Sequence, residues 1–246
     1  MLEQASVSGQ NVLLGAERAA LRDRIRAFAA TEVAPHAARI DREAQFPHDI
    51  YRRAASEGLV GFTRPIGAAR DTLEWALMME EMGAASAAVA DILLLSEMIA
   101  LMLDEAGSEN QQALLRPLIA GETLGAFALT EANAGSDAAA IETLAVPDGD
   151  DYILNGTKAY INNATVADWA IVLAKTDPNA GTHGITAFLV NRDQFTNGEP
   201  YDLMGQRGIA VGELYLVGSR VHKSAIVGKI GEGFKLAMRS LDVGRI

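Results

Sequence analysis

The side chains best suited to chemistry fall in three short stretches. Leu129-Thr130-Glu131-Ala132-Asn133-Ala134-Gly135-Ser136-Asp137 carries Thr130 to the end of an apolar run and then turns tightly. Gly135 lets backbone approach a ligand, and Ser136 with neighbouring N–H groups can donate to an anion, so the turn suits a phosphate or a polar heterocycle. The plainer alternative is a strand-end turn whose Ser, Asn and Asp satisfy local backbone. Tyr160-Ile161-Asn162-Asn163 sets an aromatic face before an amide. The ring can pack on a planar ligand while the amide bonds its edge; the alternative is an ordinary strand Tyr followed by turn Asn residues. In Leu241-Asp242-Val243-Gly244-Arg245 the acid and the base stand three apart. On a helix both face one groove, and the guanidinium fork suits a phosphate; a surface ion pair is the alternative.

Composition removes several other chemistries. The 246 residues include 21 Lys and Arg against 32 Asp and Glu, a net charge of −11. Such a surface repels nucleic acid and anionic lipid. With no Cys there is no disulfide, no thiolate metal site and no Cys nucleophile. His36, His48, His183 and His222 lack metal-ligand spacing, so no zinc is expected. Glu80-Glu81 and Asp150-Asp151 are adjacent, hence divergent, and read as solvated faces rather than acid–base pairs. The dinucleotide Gly-x-Gly-x-x-Gly turn and the Gly-x-Ser-x-Gly elbow are both missing. Residues 1–20 show no secretory pattern, and the most apolar stretch, Ala84 to Leu103, is interrupted by Asp91, Ser96 and Glu97. The expectation is a soluble, cytoplasmic protein.

The elements that must position these stretches change character near residue 125. Before it the periods are helical. Leu21, Ile25 and Phe28 share a face, with Arg22, Asp23, Arg24 and Arg26 on the wet side, and Pro35 is expected beyond the helix end. Pro47 to Gly58 reads as a second helix, and Trp75, Met78, Met79 and Met82 mark a third with a flexible core face. Ile92 to Leu103 is apolar nearly all round, so it should be buried on most sides. Gly107 stops it, and Ser108 with Gln111 forms a capping box. From Gly125 short apolar runs alternate with turns: Ala126–Thr130, Thr143–Val146, Tyr152–Leu154, Thr157–Ile161, Trp169–Ala174, Ile185–Val190 and Glu213–Val217. Pro147-Asp148-Gly149-Asp150 closes the second run, and Asn155-Gly156 is the strongest two-residue hairpin signal. The pattern predicts an antiparallel sheet or barrel. After Gly231-Glu232-Gly233 the helical period returns in Phe234, Ala237, Met238 and Leu241. The expected fold is α+β: a helical domain at 1–124, a β-barrel-like domain at 125–230, and the start of a further helical domain at 231–246.

Taken together, these stretches resemble the acyl-CoA dehydrogenase family. Thr130 to Asp137 is similar to that family's Thr-Glu-Pro-x-Ala-Gly-Ser-Asp signature, and Tyr152 to Asn163 to its Tyr-x-x-Asn-Gly-x-Lys strand pair. Met204-Gly205-Gln206-Arg207-Gly208, Gly231 to Met238 and Leu241 to Ile246 complete five ordered motifs, and the likeness runs from residue 15 onward. The resemblance implies FAD held between the middle domain and a C-terminal helical bundle, an acyl-CoA thioester on one flavin face, and electron-transfer flavoprotein as acceptor. It implies proton removal at Cα by a carboxylate with hydride passing from Cβ to the flavin, giving a 2,3-enoyl-CoA in fatty acid metabolism. Phe127, Leu129 and Thr130 would contact the flavin rings, Ser136 with its neighbour Gly135 the pyrophosphate and CoA chain, and Tyr160, Ile161 and Asn162 the flavin face and its N5 edge. Asp242 and Arg245 would contact CoA, with Phe234 and Leu241 near its pantetheine arm.

Departures from the family pattern qualify this expectation. Ala132 replaces a Pro, Tyr160 a Trp, and Asn162 a Thr or Ser, while Thr63 to Arg70 is shorter than the corresponding loop. The family's catalytic carboxylate lies in the bundle, and no residue here matches it. The expectation is therefore a fragment or split subunit with weak FAD binding and no turnover, homo-oligomeric only as a complete protein. The rivals are a same-fold flavin oxidase or monooxygenase and a non-catalytic acyl-CoA-binding or partner subunit. The small residues Gly83 to Ala90 suggest a roomy or branched acyl pocket, or close helix packing instead.

Overall fold

The computed structural model describes residues 14–61 and 71–245, so the shortened loop at Thr63 to Arg70 lies outside the described residues. The helical part comprises α1 (Ala16–Phe28), a π-turn (Ala29–Val33), α2 (Ala34–Glu43), α3 (His48–Ser56), α4 (Thr72–Ala85), α5 (Ala87–Ala106), α6 (Glu109–Gln112) and α7 (Leu115–Ile119). Pro35, expected beyond the end of the first helix because it lacks an N–H, does not end the helical run. The π-turn carries the chain on, and Pro35 sits in the first turn of α2, where no intrahelical N–H bond is needed. The buried stripe of α1 runs Ala19, Arg22, Ile25, Phe28 at a spacing of three, so Arg22 is buried rather than on the wet side. Glu81 of α4 is also buried, because the Arg26 guanidinium donates to both its carboxylate oxygens at 2.6 and 2.9 Å.

Capping follows the sequence. The Asp71 carboxylate accepts from the N–H groups of Leu73 and Glu74, and Ser86 caps α5. Ser108 and Gln111 make the expected capping box. The Gln111 amide also donates to the carbonyls of Ser224 and Ile226, tying the helical part to the sheet. Helix α5 is buried along most of its length, as its all-round apolar pattern requires. No helix among the described residues is long and apolar enough to cross a membrane.

The sheet strands are β1 (Gly125–Ala128), β2 (Leu144–Asp148), β3 (Asp151–Ile161), β4 (Trp169–Lys175), β5 (Ile185–Asn191), β6 (Thr196–Asn197), β7 (Gly212–His222) and β8 (Ile226–Val227). Their order is β6-β7-β3-β2-β4-β5-β8, with β1 beside β4. The sheet is mixed: most neighbours are antiparallel, but β1 and β2 each run parallel to β4, one after the other along the edge opposite β5. Asn155-Gly156 is not the hairpin turn. The turn is Gly149-Asp150, where Gly149 adopts φ 64°, and it joins Asp148 to Asp151. Asn155-Gly156 instead forms an irregularity inside continuous β3, with the Asn155 side chain accepting from the Gly218 N–H at 2.7 Å. Strand β4 is buried on both faces. Trp169, Ile171 and Leu173 pack toward α5 and α7, while Ala170, Val172 and Ala174 pack within the sheet layer. Helix α8 (Gly233–Gly244) returns across β5 and lies against α5, where the Ser240 hydroxyl donates to the Met98 carbonyl at 3.0 Å.

Candidate functional site

A cavity of about 430 Å³ opens where α5, the ends of β1 and β3, and α8 converge. Phe127 reaches it from β1, Leu129, Thr130, Gly135 and Ser136 from the turn that follows, and Tyr160, Ile161 and Asn162 from the end of β3 and just beyond. Met238, Leu241 and Arg245 come from α8 and its end. All eight residues singled out for a cofactor therefore share one cavity with Arg245. Asp242 does not line it. Its carboxylate is exposed, 3.8 Å from the Arg245 guanidinium; one residue beyond the cavity-lining Leu241, it is turned about 100° round α8 and out of the lining. Phe234 is not in the lining either, whereas Leu241 is.

The backbone that presents these groups is firmly held. The Ala159 N–H donates to the Thr130 carbonyl at 2.9 Å, locking the end of β3 to the ligand turn. Behind that turn Lys158 is fully buried, donating to the Leu129 carbonyl at 3.1 Å and to Glu131 Oε1 at 2.8 Å. Glu131 also accepts from the N–H groups of Glu142 and Thr143 and from the Thr143 hydroxyl. Burial pushes the Glu131 carboxyl up, but the Lys158 charge and these bonds outweigh it and hold it below the usual range. Tyr160 and Asn163 adopt φ 57° and 65°, left-handed conformations that cost about 1–3 kcal/mol each in side chains other than Gly. The strained Tyr160 ring stays 65% exposed at the cavity, steadied edge-on by Tyr201 at 5.2 Å between centroids. The Asn163 amide donates to the Gly125 carbonyl at 3.0 Å, tying this corner to β1.

The sequence reading missed Asp91. It lies on α5 with Leu94, Leu95 and Met98, all four lining the cavity, and accepts from the Asn162 amide at 2.6 Å. A carboxylate heading an apolar i, i+3, i+4, i+7 stripe was the available signal. The small-residue run Gly83 to Ala90 does not line the cavity; it forms the end of α4 and the start of α5. There Ala88 packs against Gly208, which fits the reading as close packing.

The fit to FAD rests on shape and chemistry. The volume lies within the roughly 300–1,000 Å³ typical of small-molecule sites. An exposed aromatic ring and an apolar wall suit a planar ring system, while the Ser136 turn and Arg245 suit an anionic tail.

Helical layer, mixed sheet and returning helix define an α+β fold with one cavity at the helix–sheet junction. The chain belongs to the acyl-CoA dehydrogenase family. Residues 15–122 match the family's N-terminal domain and residues 126–218 its middle domain. It is 42% identical over 234 residues to the 3-(aryl)acrylate reductase of Clostridium sporogenes, covering 92% of this chain and 62% of that protein. It superposes on butyryl-CoA dehydrogenase from Megasphaera elsdenii with a TM-score of 0.86 at 34% identity, covering 93% and 62% of the two chains. A structure described as the electron transferring flavoprotein of Acidaminococcus fermentans matches with a TM-score of 0.88 at 34% identity, covering 94% and 63%. The chain thus spans about three fifths of the length of the relatives it matches.

Proposed function

We propose that this chain contributes the flavin-facing and acyl-facing walls of an FAD-dependent acyl-CoA dehydrogenase. The reaction would be α,β-dehydrogenation of an acyl-CoA thioester to a 2,3-enoyl-CoA. FAD, when bound, supplies the acceptor for the hydride that leaves Cβ. The observation that carries the reading is the convergence of Thr130, Ser136, Tyr160, Asn162 and Arg245 on one cavity. Phe127, Leu129 and Thr130 would hold the flavin rings, and Tyr160 and Ile161 would shield them from water. The Asn162 amide, anchored by Asp91, would bond the ring edge. Ser136 and Arg245 would hold the anionic tails of cofactor and thioester. Asp91 is the one carboxylate in the cavity lining among the described residues, and Asn162 engages it. No residue is therefore assigned as the base that takes the α-proton, and the chain alone is expected not to turn over. We further propose units at 1–124, 125–230 and 231–246, a cytoplasmic location, and electron-transfer flavoprotein as electron acceptor. The likeness to the Acidaminococcus fermentans structure supports that last assignment.

The test is a titration of the purified chain with FAD, followed by flavin fluorescence. The expected result is weak, saturable quenching, lowered roughly tenfold in affinity by S136A and by Y160A. Quenching that both variants leave unchanged would overturn the site. Tight stoichiometric flavin that bleaches with acyl-CoA would overturn the expected inactivity.

A further inference from the structure

The cavity face of α5 is a stripe of Asp91, Leu94, Leu95 and Met98, whose last three members suit a hydrocarbon chain. A carboxylate at the head of such a stripe loses hydration without gaining a charged partner. Among the described residues its one hydrogen bond comes from the Asn162 amide to Oδ2, and it makes no ion pair. An ionised carboxylate has about four lone-pair positions. Capacity to accept a further donor therefore remains, at a group that already forms part of the cavity wall. Burial pushes the Asp91 carboxyl up, against the Asn162 bond, which pulls it down. A ligand donor here would compensate that lost hydration.

We infer that Asp91 determines acyl specificity, selecting thioesters whose acyl portion carries a hydrogen-bond donor such as a hydroxyl over purely hydrocarbon chains of the same length. This rests on the acyl-CoA reading of the cavity. The hydrocarbon part would lie over Leu94, Leu95 and Met98, and the donor would reach the free acceptor positions of Asp91. The Asn162 amide fixes the carboxylate in place, so the preference needs no reorganisation of the wall. A site built around a polar contact disfavours the analogue that lacks it, because the carboxylate's remaining acceptor positions are then shielded from water without a donor.

The test is calorimetry on the full chain in buffer containing FAD, with straight-chain acyl-CoA thioesters each paired with its ω-hydroxy counterpart. At the chain length that reaches Asp91, the hydroxy partner should bind roughly tenfold or more tightly, the scale of a hydrogen bond to a charged group. D91N keeps the shape and an amide contact and should cut the preference severalfold. D91L should abolish or reverse it. Near-uv circular dichroism shows whether each variant is folded, and D91N carries the test if D91L is not. Equal binding of every pair, or a preference that D91N and D91L leave unchanged, overturns the inference while the acyl-CoA reading stands. If neither thioester of any pair binds the chain, the acyl-CoA reading itself falls and the inference falls with it.

Discussion

At the scale of single residues, the most consequential group is the buried Lys158–Glu131 pair behind the ligand turn. Lys158 holds the Leu129 carbonyl, and Glu131 gathers Glu142 and Thr143, so one ion pair ties β3, the turn and the entry to β2 together. Breaking a buried pair costs about 3–5 kcal/mol because one charge is left uncompensated. E131A should approach that loss, since Lys158 would keep only a carbonyl partner. K158M should cost less, because three donors still serve Glu131. Urea denaturation of both variants checks the order, and K158M proving the worse would refute it. The pair also predicts a pH dependence. Burial pulls the Lys158 ammonium down to about 8, partly offset by Glu131. The unfolded chain keeps that proton up to the ordinary lysine value. Between the two, the unfolded state binds more protons, so the Lys158 contribution to stability rises with pH. Urea midpoints measured across that alkaline window should climb in the parent relative to K158M.

At the scale of elements, Asn155-Gly156 shows how a strong local signal yields to its surroundings. A Cβ at Gly156 would lie 2.3 Å from the Thr143 hydroxyl and 2.8 Å from the Thr143 Cα, so β3 passes flush against the start of β2. The glycine serves that close approach, and after a register shift β3 goes on pairing with β7 from Gly156 to Ile161. G156A should displace Thr143 and with it a donor to Glu131, costing about 1–3 kcal/mol of overpacking strain. G149A, at the true turn, meets open space and should cost only the roughly 1 kcal/mol of a left-handed alanine. Thermal melts of the two variants decide between them. A larger loss for G149A would show that the turn, rather than the close approach, sets stability here.

At the scale of the whole molecule, the site exists only because four distant pieces of chain meet. Helix α5 supplies the apolar floor, β1 and β3 the ligand turn and aromatic corner, and α8 the remaining wall. The junction is pinned by the Leu124 N–H donating to Asp168 at 2.8 Å and by the Gln111 amide bonds to Ser224 and Ile226. Ending the chain before Gly231 would remove Met238, Leu241 and Arg245 from the lining and uncover apolar surface on α5 and β5. That shortened chain should lose at least roughly tenfold in FAD affinity and melt earlier. Unchanged flavin quenching would show that α8 is no part of the site.

Local physics in the chain order was enough for helices α1, α3, α4 and α5, the capping box at Ser108, the longer strands and the motifs that converge on the cavity, because periodicity, caps and short polar turns depend on near neighbours; it did not show α2, which continues past Pro35 through the π-turn. It was also enough for the family. It could not assign Arg22 and Glu81 to the interior, since what buries them is a partner helix distant in sequence. Nor could it set β4 parallel to β1 and β2, keep Asn155-Gly156 inside a continuous strand, or bring Asp91 to Asn162. Each of these depends on which surfaces meet when the helices close on the sheet, and only the tertiary structure decides that.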